Sequence, residues 1–273
     1  MTRAGLLENI RSRRSYLCVG LDTDLEKLPF GLSRDAEGIL AFHQSIIEAT
    51  APFCVAYKPN LAFFEAMGPE GWRVFEETLK MIPSTHLVIA DAKRGDIGNT
   101  SERYARAFFT RYNCDALTIA PYMGSDSVKP FLGHQGKWAV MLVLTSNPGA
   151  DDFEQLLLAN GKRLYEEVAD KAMEWGSPDE LMFVVGATRV ELLKALRARC
   201  EPYFFLIPGV GAQGGDLVEV SRAALNSECG ILVNASRSIL YASSSDDFAQ
   251  AAAREAEAMQ QQMALLLAEK GII

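Results

Sequence analysis

Histidine and cysteine are scarce in this sequence, and neither is clustered. The 273-residue chain has three histidines, at 43, 86 and 134, scattered and not at the spacing of zinc ligands. Its five cysteines (18, 54, 114, 200 and 229) form no Cys-x-x-Cys pair. Several sit in apolar runs, as small hydrophobes do in a reducing cytoplasm, which is the compartment expected. No GxSxG or Cys–His arrangement is apparent, so a serine or cysteine nucleophile has no support. No GxGxxG follows the first apolar run, which weakens a dinucleotide-binding fold. Long hydrophobic runs are missing too. The longest, Trp138 to Leu144, is far too short to span a bilayer, and the opening MTRAGLLENIRSRRSYLCVG lacks the apolar core of a signal peptide. Positive charge is in deficit: 27 Lys and Arg stand against 35 Asp and Glu, a net charge of −8. That balance argues against nucleic acid or an anionic membrane as partner. An anionic small molecule would have to be held by a few local groups.

What the sequence does have is repetition. Eight short β-rich runs recur, at 16–22, 53–59, 86–93, 116–121, 138–145, 181–187, 203–209 and 230–236. They are continuously apolar rather than alternating, the mark of strands covered on both faces. Between them, helical spacing appears at 35–50, 69–82, 100–112, 161–176, 189–199 and 246–270, with Thr100 reading as a helix start. Eight strands alternating with helices predict an α/β fold, a (β/α)8 TIM barrel formed by one domain over 1–273. An open doubly wound sheet is the competing pattern.

In such a barrel the site lies at the C-terminal ends of the strands. Those ends carry Asp22, Lys58, Asp91, Lys93, Ser146, the turn Pro208-Gly-Val-Gly-Ala-Gln-Gly-Gly215, and Ser236-Arg237. The strand interiors stay apolar. Asp91 and Lys93, two apart on one strand, are expected on the same face, with Lys58 at a neighbouring strand end and Asp96 just beyond. Alternating carboxylates and ammoniums would keep Lys93 protonated in a partly dry pocket and aim a proton at a developing carbanion. A structural ion pair is the plainer reading of the Asp-x-Lys element. The glycine-rich turn offers backbone N–H groups to an anion, and Asn234-Ala-Ser-Arg-Ser238 adds more, with the Arg237 guanidinium, at the usual phosphate position of these barrels.

These residues resemble the orotidine 5′-phosphate decarboxylase family. The family's Asp-x-Lys-x-x-Asp-Ile/Val-x-x-Thr motif stands here as Asp91-Ala-Lys93-Arg-Gly-Asp96-Ile97-Gly-Asn-Thr100, and GLDTD (20–24), YKPN (57–60) and PGVGAQGGD (208–216) agree with it. Related barrels acting on hexulose and ketogulonate phosphates share DxKxxD. The glutamine-bearing turn and TSNPG (145–149) favour the pyrimidine enzyme, in its bacterial subgroup of longer chains. The resemblance implies decarboxylation of a nucleotide without cofactor or metal. By that resemblance Asp91 lies against the leaving carboxylate, Lys93 protonates C6, and Asp22 and Lys58 hold ribose hydroxyls. Ser146 would bond the pyrimidine, and Gln213 would bridge base and phosphate. Arg237, with the backbone at Gly209, Gly211 and Ser236, would grip the phosphate. Asp96 and Thr100 would reach into the site of a second subunit, so a homodimer with shared sites is implied. The alternatives are a Mg²⁺-dependent sugar-phosphate enzyme of the same superfamily and a silent nucleotide-binding barrel.

Overall fold

The computed structural model describes residues 1–210 and 215–273. Its eight parallel strands are β1 (Leu17–Leu21), β2 (Ala56–Pro59), β3 (Leu87–Arg94), β4 (Ala116–Ile119), β5 (Trp138–Leu144), β6 (Leu181–Val185), β7 (Phe204–Pro208) and β8 (Ile231–Ala235). They follow one another in chain order as a closed barrel, the predicted fold class. Every residue of β1, β6 and β8 is buried, as continuous apolar runs require when both faces are covered. Helices Ala36–Thr50, Pro69–Met81, Leu164–Trp175, Val190–Arg199 and Phe248–Glu269 fall within three residues of the expected segments.

The segment expected at 100–112 differs. An α-helix starts at Gly98, ahead of Thr100, and gives way after Ala105 to a π-helical stretch, Arg106–Arg111. There the Tyr112 N–H reaches back five residues to the Ala107 carbonyl at 2.9 Å. The wider turn lets the adjacent Phe108 and Phe109 both be buried. Helices Arg3–Arg13 and Leu217–Ala224 were not anticipated. The second starts where Asp216 accepts from the Glu219 N–H at 2.9 Å, a carboxylate cap hidden within what reads as a glycine turn.

The chain groups into two compact units. One comprises Ala4–Ala92 with Asn234–Ile273, the other Met1–Arg3 with Lys93–Val233. In the first, β1 pairs with β2 from Cys18↔Ala56 to Leu21↔Pro59, and β2 with β3 from Ala56↔Leu87. Its core is aromatic: Phe42 meets Phe248 at 5.3 Å and Phe64 meets Phe75 at 5.4 Å between ring centroids. His43, wholly buried, sits between the Thr23 and Thr78 hydroxyls at 2.8 Å each. Burial pushes its pKa down to about 3, so it is a neutral strut and no acid–base group near neutrality.

In the second unit β4 to β7 pair in parallel, from Ala116↔Trp138 through Met182↔Phe204, with one register shift in β5 between Leu142 and Leu144. Trp138 packs edge-on to Phe204, and Phe183 stacks on Tyr203. Beside them lies a buried guanidinium. Arg197 donates to the carbonyls of Ala224, Cys200, Glu201, Tyr203 and Gly230 at 2.7–3.2 Å and lies 3.7 Å over the Phe205 ring. Burial lowers its pKa to about 10, which leaves it charged at neutral pH. Five carbonyl dipoles replace the carboxylate that a buried arginine would otherwise need.

Candidate active site

β1, β2 and β3 each carry a charge at or near their C-terminal ends: Asp22 just after β1, Lys58 next to last in β2, and Asp91 in the second half of β3. Lys58, 4% exposed, donates to Asp91 Oδ2 at 2.9 Å, and its ammonium lies 3.7 Å from Asp22 Oδ1. Burial is the largest influence on this lysine and would strip its proton. The Asp91 carboxylate, and after it Asp22, outweigh that and hold its pKa above the ordinary value. Asp91 is 9% exposed, so the pair is dry. Asp22 Oδ1 is buried and has no hydrogen-bond partner among the described residues: it feels Lys58 across a distance too long for a bond. The end of β1 is tied down by Tyr241, a residue that no sequence pattern singles out. The Tyr241 hydroxyl donates to the Asp22 carbonyl at 3.3 Å and accepts from the Asp24 N–H at 2.9 Å.

The residues after β8 close on β1 in the same unit. A Cβ on Gly20 would lie 1.9 Å from Ser236 Oγ and 3.2 Å from Asn234 Oδ1, so only glycine fits there. Asn234 donates to Ser236 Oγ at 3.2 Å, and its own Oδ1 is buried without a partner among the described residues. Arg237 opens the next short helix and is exposed.

In the other unit, the backbone at Lys93 is left-handed, with φ +47°. For a residue that carries a Cβ this costs of order 1–3 kcal/mol, and such strain gathers at functional positions. The Lys93 N–H donates to Thr118 Oγ1 at 2.9 Å, which helps fix the turn. Thr118 was missed, although it is the one polar residue of β4, and that was its signal. Lys93 itself is exposed, against the expectation of a partly dry pocket for it. Strand alternation, on which that expectation rested, fails once φ turns positive. Asp96 is half-buried: its carboxylate accepts from the Ile97 N–H at 2.8 Å, while Ser101 Oγ accepts from its N–H at 3.1 Å and donates to its carbonyl. Thr100, half-buried, lies in the first turn of the helix that follows.

Ser146 follows β5 with a buried hydroxyl that has no partner among the described residues. It nests against Gly186, where a Cβ would come within 2.2 Å of it. Gly209, at φ +93°, follows β7, and its carbonyl accepts from the Gly215 N–H at 3.2 Å. Gly211 and Gln213 lie outside the described residues. Among the described residues, no group of three or more His, Cys, Asp or Glu is placed to hold a metal ion. The five cysteines are free and buried, and burial raises each thiol pKa.

The comparisons with known proteins bear on this arrangement. Residues 15–254 match the family described as orotidine 5′-phosphate decarboxylase / HUMPS. A protein of Porphyromonas gingivalis named orotidine 5′-phosphate decarboxylase is 51% identical over 276 aligned positions, covering 100% of both chains. One of the same name from Phocaeicola vulgatus is 49% identical, covering 98% of this chain and 100% of its own. Among solved structures, the OMP decarboxylase of Leishmania donovani superposes with a TM-score of 0.81 at 37% identity, covering 96% of this chain and 99% of that one.

Proposed function

The chain belongs to the orotidine 5′-phosphate decarboxylase / HUMPS family, and from that premise we propose that it converts orotidine 5′-phosphate to uridine 5′-phosphate and CO₂. The observation that carries the reading is the buried Lys58, held charged between Asp91 and Asp22, followed two residues past Asp91 by a lysine on strained backbone. Relatives about 50% identical over the whole chain carry the name of this activity. The Mg²⁺-dependent alternative is not favoured: Asp91 Oδ2 is already engaged by the Lys58 ammonium at 2.9 Å.

In the reaction the C6–carboxylate bond breaks, CO₂ leaves, and the electron pair stays on C6. Asp91 sits against the departing carboxylate, and its fixed charge raises the energy of the ground state relative to the charge-dispersed transition state. Lys93 gives its Nζ proton to C6 and recovers one from water. Asp22 and Lys58 hold the ribose hydroxyls. The unpartnered Ser146 hydroxyl bonds the pyrimidine, and Gln213 spans base and phosphate. Gly209, Gly211, Ser236 and Arg237 take the phosphate, whose binding energy helps close loops over the ring. The residues 1–273 act as one barrel domain.

A homodimer with shared sites belongs to the same proposal. Ile97, next to Asp96, and Tyr122 and Met123, just after β4, are exposed apolar residues at 58%, 88% and 47%, and suit cover by a second copy that receives Asp96 and Thr100. A cytoplasmic location fits the free cysteines, and no helix among the described residues is long and apolar enough to cross a membrane.

Loss of orotate absorbance on adding orotidine 5′-phosphate, measured in EDTA, tests the reaction. Activity that vanishes with chelator and returns with Mg²⁺ would overturn it. Sharing is tested by refolding Lys93→Ala and Asp96→Ala together. About half the dimers are then mixed, each with one intact site, so activity should recover to roughly a quarter of wild type. Mixed dimers seen by mass without recovered activity would keep Asp96 in its own chain's site.

A further inference from the structure

The loop between β5 and the helix Leu164–Trp175 is tightly built. Leu157 bridges Arg163 in antiparallel fashion, the Leu158 N–H donates to the Lys162 carbonyl at 2.8 Å, and the Leu164 N–H to the Leu156 carbonyl at 2.9 Å. The Arg163 guanidinium donates to the Gln155 carbonyl at 2.8 Å, and the Tyr165 N–H to the Glu154 carbonyl at 3.0 Å. The hairpin is fastened to the end of β5 by one carboxylate. Glu154 accepts from the Thr145 N–H at 2.7 Å with one oxygen and from the Thr145 hydroxyl at 2.8 Å with the other. Arg189 ties down the loop's outer side through Asp151 at 2.7 Å.

That clamp joins the two residues that precede Ser146 and Gln155. Each of the pair is one Cα step, about 3.8 Å, beyond a clamped neighbour. Each carries a buried polar atom with no partner among the described residues: Ser146 Oγ and Gln155 Nε2. A buried amide N–H without an acceptor is costly, and the Glu154 carboxylate beside it has both oxygens bonded. The two orphans are complementary to one ligand edge. A hydroxyl can accept from a ring N–H or donate to a carbonyl, whereas the amide nitrogen can only donate. A pyrimidine dione offers both a ring N–H and carbonyl oxygens.

We propose that Gln155 is a second base-recognition residue, donating from Nε2 to a pyrimidine carbonyl beside Ser146, and that Glu154 is the positioning residue that sets both. The inference rests on the reading that Ser146 faces the base, and it makes the loop 147–162 the element that selects a ring rich in carbonyls. Gln155 forms no bond in the chemical step. Its loss should show in binding of the base and not of the phosphate.

The test compares two ligands that share the phosphate and differ in the base, uridine 5′-phosphate and ribose 5-phosphate. Gln155→Met keeps the volume and removes the donor. It should weaken uridine 5′-phosphate roughly tenfold, the size of one lost buried hydrogen bond, and leave ribose 5-phosphate within about twofold, as the phosphate contacts are untouched. Glu154→Gln should also weaken the nucleotide, yet add less than about twofold once Ser146→Ala is present, because residues acting as a unit are not additive. Equal weakening of both ligands by Gln155→Met, or none for the nucleotide, would overturn the assignment, as would independent losses in the Glu154–Ser146 cycle. Wild-type turnover of orotidine 5′-phosphate, measured first, separates the cases. Without turnover the parent reading fails, and with turnover intact a failure in the variants counts against Gln155 and Glu154 alone.

Discussion

Lys58 and Lys93 both end barrel strands next to aspartates, and the chain treats them in opposite ways. Lys58 is buried, ion-paired on two sides, and on ordinary extended backbone. Lys93 is exposed, and its backbone is forced into the left-handed region. The first is a fixed charge whose work is to orient Asp91 and Asp22 and to compensate their burial. The second has the access to solvent that a proton donor needs in order to be reloaded, and its strain places it where the strand alone would not. On the proposed function, Lys58 is the cation that stays and Lys93 the cation that reacts.

The largest expected effect falls on Lys93. Lys93→Gly should lose at least about 10²–10⁴-fold in turnover, the usual contribution of a general acid. It should nonetheless be about 1 kcal/mol more stable than Lys93→Ala in urea, because glycine accepts the positive φ without strain. Equal stability of the two variants would mean that the backbone at 93 carries no strain.

Next comes the fixed lysine. Lys58→Met leaves Asp91 buried without its cation and should cost about 3–5 kcal/mol of stability along with activity. The sign with pH follows from its raised pKa. A folded-state value above the unfolded one gives stability fully present below about pH 10.4, lost as pH rises through the folded-state value. Urea midpoints above pH 10 should therefore fall less steeply in Lys58→Met than in wild type. The buried thiols, also raised, add a slope of the same sign that both proteins share.

His43 sharpens the comparison from the acid side, since Thr23 links it to the end of β1. Its pKa is depressed from 6.5 to about 3, so its contribution is present above pH 6.5 and lost as pH falls toward 3. One proton taken up on unfolding gives a slope of about 1.4 kcal/mol per pH unit in that window. His43→Gln should flatten it. An unchanged acid limb would show that the imidazole is accessible to protons in the folded state.

The smallest effect belongs to Thr118→Val. It removes the acceptor for the Lys93 N–H and should cost about 1 kcal/mol. Turnover should fall a few-fold through misplacement of Lys93, with affinity for uridine 5′-phosphate unchanged. A loss as large as that of Lys93→Gly would make Thr118 a participant rather than a support.

Much of this was legible in the sequence, for a physical reason. Apolar runs covered on both faces need no alternation, so charges at their ends stand out, and Asp22, Lys58, Asp91 and Lys93 could be read from that contrast alone. Helices with strong periodicity, such as Ala36–Thr50, were equally plain. The rest depends on closure in three dimensions. The positive φ at Lys93, the tie of Tyr241 to Asp22, the five carbonyls around Arg197 and the π-turn at Arg106–Arg111 leave no periodic trace. The orphaned amide of Gln155 is a lack of a partner, and only coordinates reveal which partners are missing.

The division of labour between the two lysines can be put to a single measurement. Turnover of orotidine 5′-phosphate and affinity for uridine 5′-phosphate are determined on the same preparations of Lys93→Ala and Lys58→Ala. The account predicts that Lys93→Ala loses turnover by about 10²-fold or more and still binds the nucleotide within a few-fold of wild type, while Lys58→Ala loses both. A Lys93→Ala protein that kept more than about a tenth of the rate would contradict it, since a general acid contributes more than that.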